Sequence, residues 1–187
     1  MQKSKIIIQP SKPIIVKGLL GCMIKLNKNQ INYGDLKSRK KLVGFKEQTN
    51  RHITIVGWRA ATIVEKALNK FPEPEKKKKL AKLKDILKNL KWQYVSKEIY
   101  FINQKAYFQP KILEHRKSYI QTIKMSDMNI FYRKLNVLLK TNIPTQFPHI
   151  TLFSKGERPN PEYFGIPIPS KTEFKKLHPK KIHAKKL

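Results

Sequence analysis

The chain has 187 residues, enough for one domain, or one domain built of two similar lobes, around a real core. Its 41 Lys+Arg against 12 Asp+Glu give a net charge of +29, far beyond what solubility needs, and point to a polyanionic partner, RNA or DNA first and an acidic membrane second. Lys heavily outnumbers Arg, so most of that charge is also readable as solvated surface. The single cysteine, Cys22, excludes a disulfide framework and a thiolate metal cage.

Residues 1–12 read as a loose, flexible arm. Ile14 to Leu26 reads as a strand or hairpin, with Gly18 and Gly21 inside it. Its apolar part is broken by Lys17 and is too short to cross a bilayer, so it is assigned to a buried strand of a cytoplasmic protein. Residues 32–50 read as a basic loop with a short element at Leu42-Val43-Gly44-Phe45, and a strand follows from Arg51 to about Val56. Ala60, Ile63, Val64, Ala67, Leu68 and Phe71 then trace one apolar stripe of a helix ended by Pro72 and Pro74. A second helix runs from about Glu75 to Lys91, with Leu80, Leu83, Ile86, Leu87 and Leu90 inward. The lysine run 76–79 at its start reads as a solvated helix face ahead of a nucleic-acid patch.

Trp92 to Ile102 and Leu113 to Ile123, rich in β-branched and aromatic residues, predict two strands joined around Pro110. A third helix, capped by Ser126 or Asp127, carries Met128, Phe131, Leu135 and Leu138 and ends near Asn142. A strand beginning after Phe147-Pro148 follows. A proline-rich stretch closes the domain at residue 170, and residues 171–187 form a basic tail, either an RNA-contacting extension or a disordered end.

Two strands share one phrase, His52-Ile53-Thr54-Ile55 and His149-Ile150-Thr151-Leu152. Side chains alternate in a strand, so each copy projects an imidazole and a hydroxyl on one face and two aliphatic side chains on the other. Brought together, the copies offer two acid/base groups and two hydroxyl donors around one small anion. An imidazole titrates near neutrality, which suits a pair in which one removes a proton and the other returns it. Phosphodiester transfer at a ribose needs such a pair, and hydroxyl donors stabilise the charge that grows on the non-bridging oxygens. No glycine-rich phosphate loop, local metal-ligand spacing or nucleophile elbow competes with this reading. One copy alone would more often be a half-buried strand with a satisfied histidine; two copies among five histidines outrank accident. Around the motifs, Arg51, Trp58, Phe153, Lys155 and Tyr163 are candidate substrate contacts, with Arg158 beside them. By parity Phe153 shares the face of His149 and Thr151, so it and Trp58 are candidates to stack on a base.

The paired motifs, separated by about half the chain, resemble those of the two-histidine phosphoesterase superfamily, which includes RNA 2′,3′-cyclic phosphodiesterases and 2′-5′ RNA ligases. Ile55 stands where that family more often has Leu. The resemblance covers about residues 13 to 170. It implies an α+β, bilobed, duplicated fold in which two antiparallel sheets line a central groove and helices lie outside. It also implies His52 and His149 as the general base and acid, without fixing which is which, and Thr54 and Thr151 gripping the phosphate of RNA ends or small nucleotides. The acid/base scheme itself calls for no metal or cofactor, and a monomer is expected. Degradation of a cyclic oligonucleotide signal, a non-catalytic RNA-binding role for the same groove and a basic ribosome- or nucleoid-associated protein are the alternatives.

Overall fold

The structure, a computed structural model, describes residues 14–15, 21–31, 33, 36, 42–109, 112–157 and 165–182. The expected arm, Arg158 and Tyr163 lie outside the described residues. The described residues form an α+β fold with four α-helices and two antiparallel sheets. In chain order the elements are β1 (Ile14–Ile15), β2 (Cys22–Lys25), β3 (Lys46–Glu47), β4 (His52–Val56), α1 (Trp58–Leu68), α2 (Glu73–Asn89), β5 (Val95–Gln109), β6 (Ile112–Lys124), α3 (Ser126–Leu139), β7 (His149–Lys155), α4 (Lys171–Lys176) and β8 (Lys180–Ile182). The smaller sheet has the order β1-β2-β4 and the larger β3-β7-β6-β5-β8, so each histidine strand belongs to its own sheet.

One apolar core runs from the β2–β4 pair through the three long helices to the larger sheet. Ile53 and Ile55 of β4, Ile150 and Leu152 of β7, and Phe131 and Leu135 of α3 are fully buried in it. Each such side chain contributes roughly 1.5–3 kcal/mol of burial. Tyr132, buried on α3, donates its hydroxyl hydrogen to Ile55 O at 2.9 Å and ties that helix to the first histidine strand. A second, smaller cluster joins Ile102 and Ile120 to Ile166 and Ile168, with Tyr100, Phe147, Phe174 and Leu177 packed against it.

Local physics moves several expected boundaries. α1 stops at Leu68 and leaves Ile63 44 % exposed, because the buried arc centres on Ala60, Ala61, Val64, Ala67 and Leu68 and Ile63 lies at its margin. α2 begins at Glu73 and takes Pro74 into its first turn, where a missing N–H leaves no helical bond unmade. In the lysine run, Lys76 pairs with Glu73, and Lys79 pairs with Glu75 and donates to Leu138 O at the end of α3. Neither expected residue caps α3: its N-cap is Met125, with no side-chain cap bond. Short β3 lies at 46–47 rather than 42–45.

The boundary at residue 170 does not hold, and residues 171–182 are not a loose tail. Ser170 caps α4 by accepting from the Glu173 N–H. β8 adds to the larger sheet, with Ile182 opposite Ile99. Phe174 stacks on Phe147 at 4.3 Å between ring centroids and meets Tyr100 edge-on at 5.2 Å. Those apolar contacts outweigh the lysines around them, which stay in water on long flexible stems.

Candidate active site

The two histidine strands approach each other, and His52, Thr54, His149 and Thr151 line one groove of about 580 Å³. Alternation places them there: Ile53, Ile55, Ile150 and Leu152 have no exposed surface, which turns the intervening His and Thr side chains the other way.

The imidazoles are held identically. His52 Nδ1 lies 2.9 Å from Asn50 O, and His149 Nδ1 lies 2.9 Å from Phe147 O. A carbonyl oxygen only accepts, so Nδ1 carries the hydrogen in both rings and donates it. In the neutral ring Nε2 is then the lone-pair nitrogen, able to take a proton. The environments differ. Burial pushes His149 down to about 4, opposed by the bond to Phe147 and assisted by the nearby His52. His149 is therefore neutral at pH 7. Cys22 also borders the groove, but burial pushes its thiol up to about 12, so it is not a nucleophile at neutral pH.

The other expected contacts divide. Trp58, the first residue of α1, lines the groove and is 58 % exposed, with the Arg59 guanidinium 5.2 Å from its ring centre. Phe153 and Lys155 do not line it. Pairing steps from Tyr119↔Phe153 to Ile120↔Thr151, so Leu152 is an extra residue in β7 and a β-bulge resets the alternation. Phe153 is consequently buried, edge-on to Tyr33 at 5.9 Å, and exposed Lys155 lies against Gly44.

Arg51 is also absent from the groove. Its guanidinium donates to Glu47 Oε1 at 2.6 Å and to the Tyr33 hydroxyl at 2.7 Å, joining the β3 loop to β4. Arg51→Ala is therefore expected to lower stability by about 1.5–3 kcal/mol, the usual worth of hydrogen bonds to a charged group. Chemical denaturation should show that loss; a cost below about 0.5 kcal/mol would mean that the guanidinium is not held as described.

Alternation alone does not reveal the rest of the lining. Gln48, Gln104, Arg116, Gln146, Glu173 and the segment 165–169 all border the groove. Gln146 donates to Ile168 O at 2.6 Å, holding that segment against the site. Gly165 is so close to Thr151 that a methyl group on it would meet Oγ1 at 3.6 Å. Among the described residues the lining carries Arg59, Arg116, which is paired with Glu114, and the carboxylate of Glu173. Among the described residues no helix is long and apolar enough to cross a membrane, and no three His, Cys, Asp or Glu side chains are grouped as a metal site would require. No protein-family model, curated protein or solved structure matches this chain.

Proposed function

We propose that this protein is a phosphodiesterase that opens a 2′,3′-cyclic or 2′-5′ phosphodiester in RNA ends or small nucleotides by two-histidine acid/base catalysis. The observation that carries the reading is the repeated half-site: two imidazoles, each with its Nδ1 hydrogen on the main chain, border one groove with two threonine hydroxyls. In this reading His149 is the base. It takes a proton from water, the water oxygen attacks phosphorus, the P–O bond to one ribose oxygen breaks, and His52 supplies that oxygen with a proton. Thr54 and Thr151 donate to the non-bridging oxygens. The bilobed, duplicated arrangement belongs to the same proposal; it is supported by the assignment of one histidine strand to each sheet and by their matching main-chain bonds.

The test is hydrolysis of a 2′,3′-cyclic nucleotide panel in EDTA. Turnover is expected, and none above background from the folded protein on any cyclic or 2′-5′ substrate would overturn the reading. Protonation of His149 removes the base, so the acid limb of kcat/KM should appear only as pH drops towards about 4. That ratio reports the free enzyme, whereas kcat reports the complex. A bound phosphate favours the imidazolium, so the acid limb of kcat should lie at higher pH. An acid limb of kcat/KM at the ordinary histidine value of about 6.5 would overturn the assignment of His149 as base.

The net charge of +29 favours one other reading, a non-catalytic RNA-binding protein that holds an RNA end in the groove. It predicts steeply salt-dependent binding that survives alanine at both histidines, without turnover.

A further inference from the structure

Beyond Thr151 the groove floor changes character. Thr122 pairs with His149 and Ile120 with Thr151, so the same face of β6 continues through Ser118, Arg116 and Glu114. On β5 the matching positions are Ile102, opposite Ser118, and Gln104, opposite Arg116. Arg116 stands four residues from Ile120, about 13 Å along the strand. Its guanidinium reaches the Gly165 carbonyl at 3.1 Å, and Gly165 is the residue packed against Thr151. This patch is thus near the proposed phosphate seat but outside it.

Its charge is balanced. Arg116 Nε donates to Glu114 Oε2 at 3.0 Å, with the residues 8 % and 2 % exposed, so the two buried charges cancel. A second phosphate would find no net positive charge here, and the carboxylate of Glu173 borders the same groove. The polar capacity is instead neutral. Gln104 borders the groove, and its Oε1 has no hydrogen-bond partner. Buried polar atoms are rarely left so, and a ligand is one way to satisfy them. Ile166, Pro167 and Ile168 add an apolar wall to the groove. A flat neutral group with a hydrogen-bonding edge suits such a site, since its face meets the wall and its edge meets the amide.

We infer that this end of the groove is a nucleobase subsite in which Gln104 reads adenine, taking the exocyclic amino hydrogen on Oε1 and donating from Nε2 to N7. The pairing follows from the matching geometry of an amide and the adenine edge. The inference rests on the proposed reading of the His–Thr pairs as a phosphate seat, which fixes where the rest of the nucleotide lies.

Calorimetric titration with adenosine 2′-monophosphate, inosine 2′-monophosphate and base-free ribose 5-phosphate tests both. Inosine differs at the position Gln104 reads, carrying an oxygen where adenosine carries the amino group. Adenosine monophosphate should bind about tenfold more tightly than inosine monophosphate. Gln104→Leu should abolish that ratio and leave ribose phosphate binding unchanged, while Gln104→Glu, which keeps an acceptor for the amino group, should retain the preference. Equal binding of the two nucleotides, or a preference that survives Gln104→Leu, overturns the subsite. The phosphate seat is read separately: Thr54→Ala with Thr151→Ala should weaken all three ligands alike, and ribose phosphate binding that ignores this change overturns the seat itself.

Discussion

On the proposed two-histidine reading, His149→Ala is expected to lower kcat/KM for a 2′,3′-cyclic nucleotide by roughly 10²–10⁴-fold, the usual worth of a positioned general base. His52→Ala should lose a comparable factor as the paired acid. The double variant should fall little below either single one, because residues that act on one proton-transfer sequence are not additive. Stability separates this from a folding defect. His149 is held neutral in the folded protein and titrates near the ordinary value when unfolded, so the unfolded chain binds more protons between about pH 6.5 and 4. Stability of the wild type should therefore fall as pH drops through that window. His149→Ala should flatten this part of the stability curve while leaving the molecule folded at pH 7. Retained activity in either histidine variant would sink the mechanism, and an unchanged curve would show that His149 is not held neutral.

Phe131→Ala carries the largest expected loss of stability, about 3–5 kcal/mol. Phe131 has no exposed surface, lies 5.7 Å from Trp92 and 5.5 Å from Tyr132 between ring centroids, and sits where α3 meets the core. Alanine there removes the transfer energy of the ring and leaves a cavity that the three long helices cannot close without losing other contacts. Set against a typical total of about 5–15 kcal/mol, the loss should move the urea midpoint strongly. The near-ultraviolet signal of Trp92 should weaken with it. A cost below about 1 kcal/mol would mean that the ring is not packed as described.

The shared face of His52 with Thr54, and of His149 with Thr151, was legible because one physical rule, the two-residue period of a strand, acts on adjacent residues and needs no partner. The same rule misplaced Phe153: a bulge at Leu152 arises from the register of β7 against β6, which no stretch of β7 alone records. Arg51 beside His52 looked like a phosphate contact, and only the fold shows Glu47 and Tyr33 taking its guanidinium. Gln104 and Arg116 are ordinary polar residues on long strands, and only the β5–β6 pairing sets them side by side. The C-terminal element did leave a signal. Phe174, Leu177 and Ile182 are the apolar positions among its lysines, and the first two share a helix face, but net charge masked them.

The bonds that fix both imidazoles have a consequence for inheritance. Their acceptors are main-chain oxygens of Asn50 and Phe147, so no side-chain replacement at either position deletes them. Sites that orient a histidine with an aspartate can lose the tautomer through one codon. Here the proton's address is written in the path of the chain entering each strand, and at the second site Pro148 restricts that path between acceptor and ring. Drift in the surrounding sequence can therefore change what the groove recognises while leaving the protonation pattern of the pair intact.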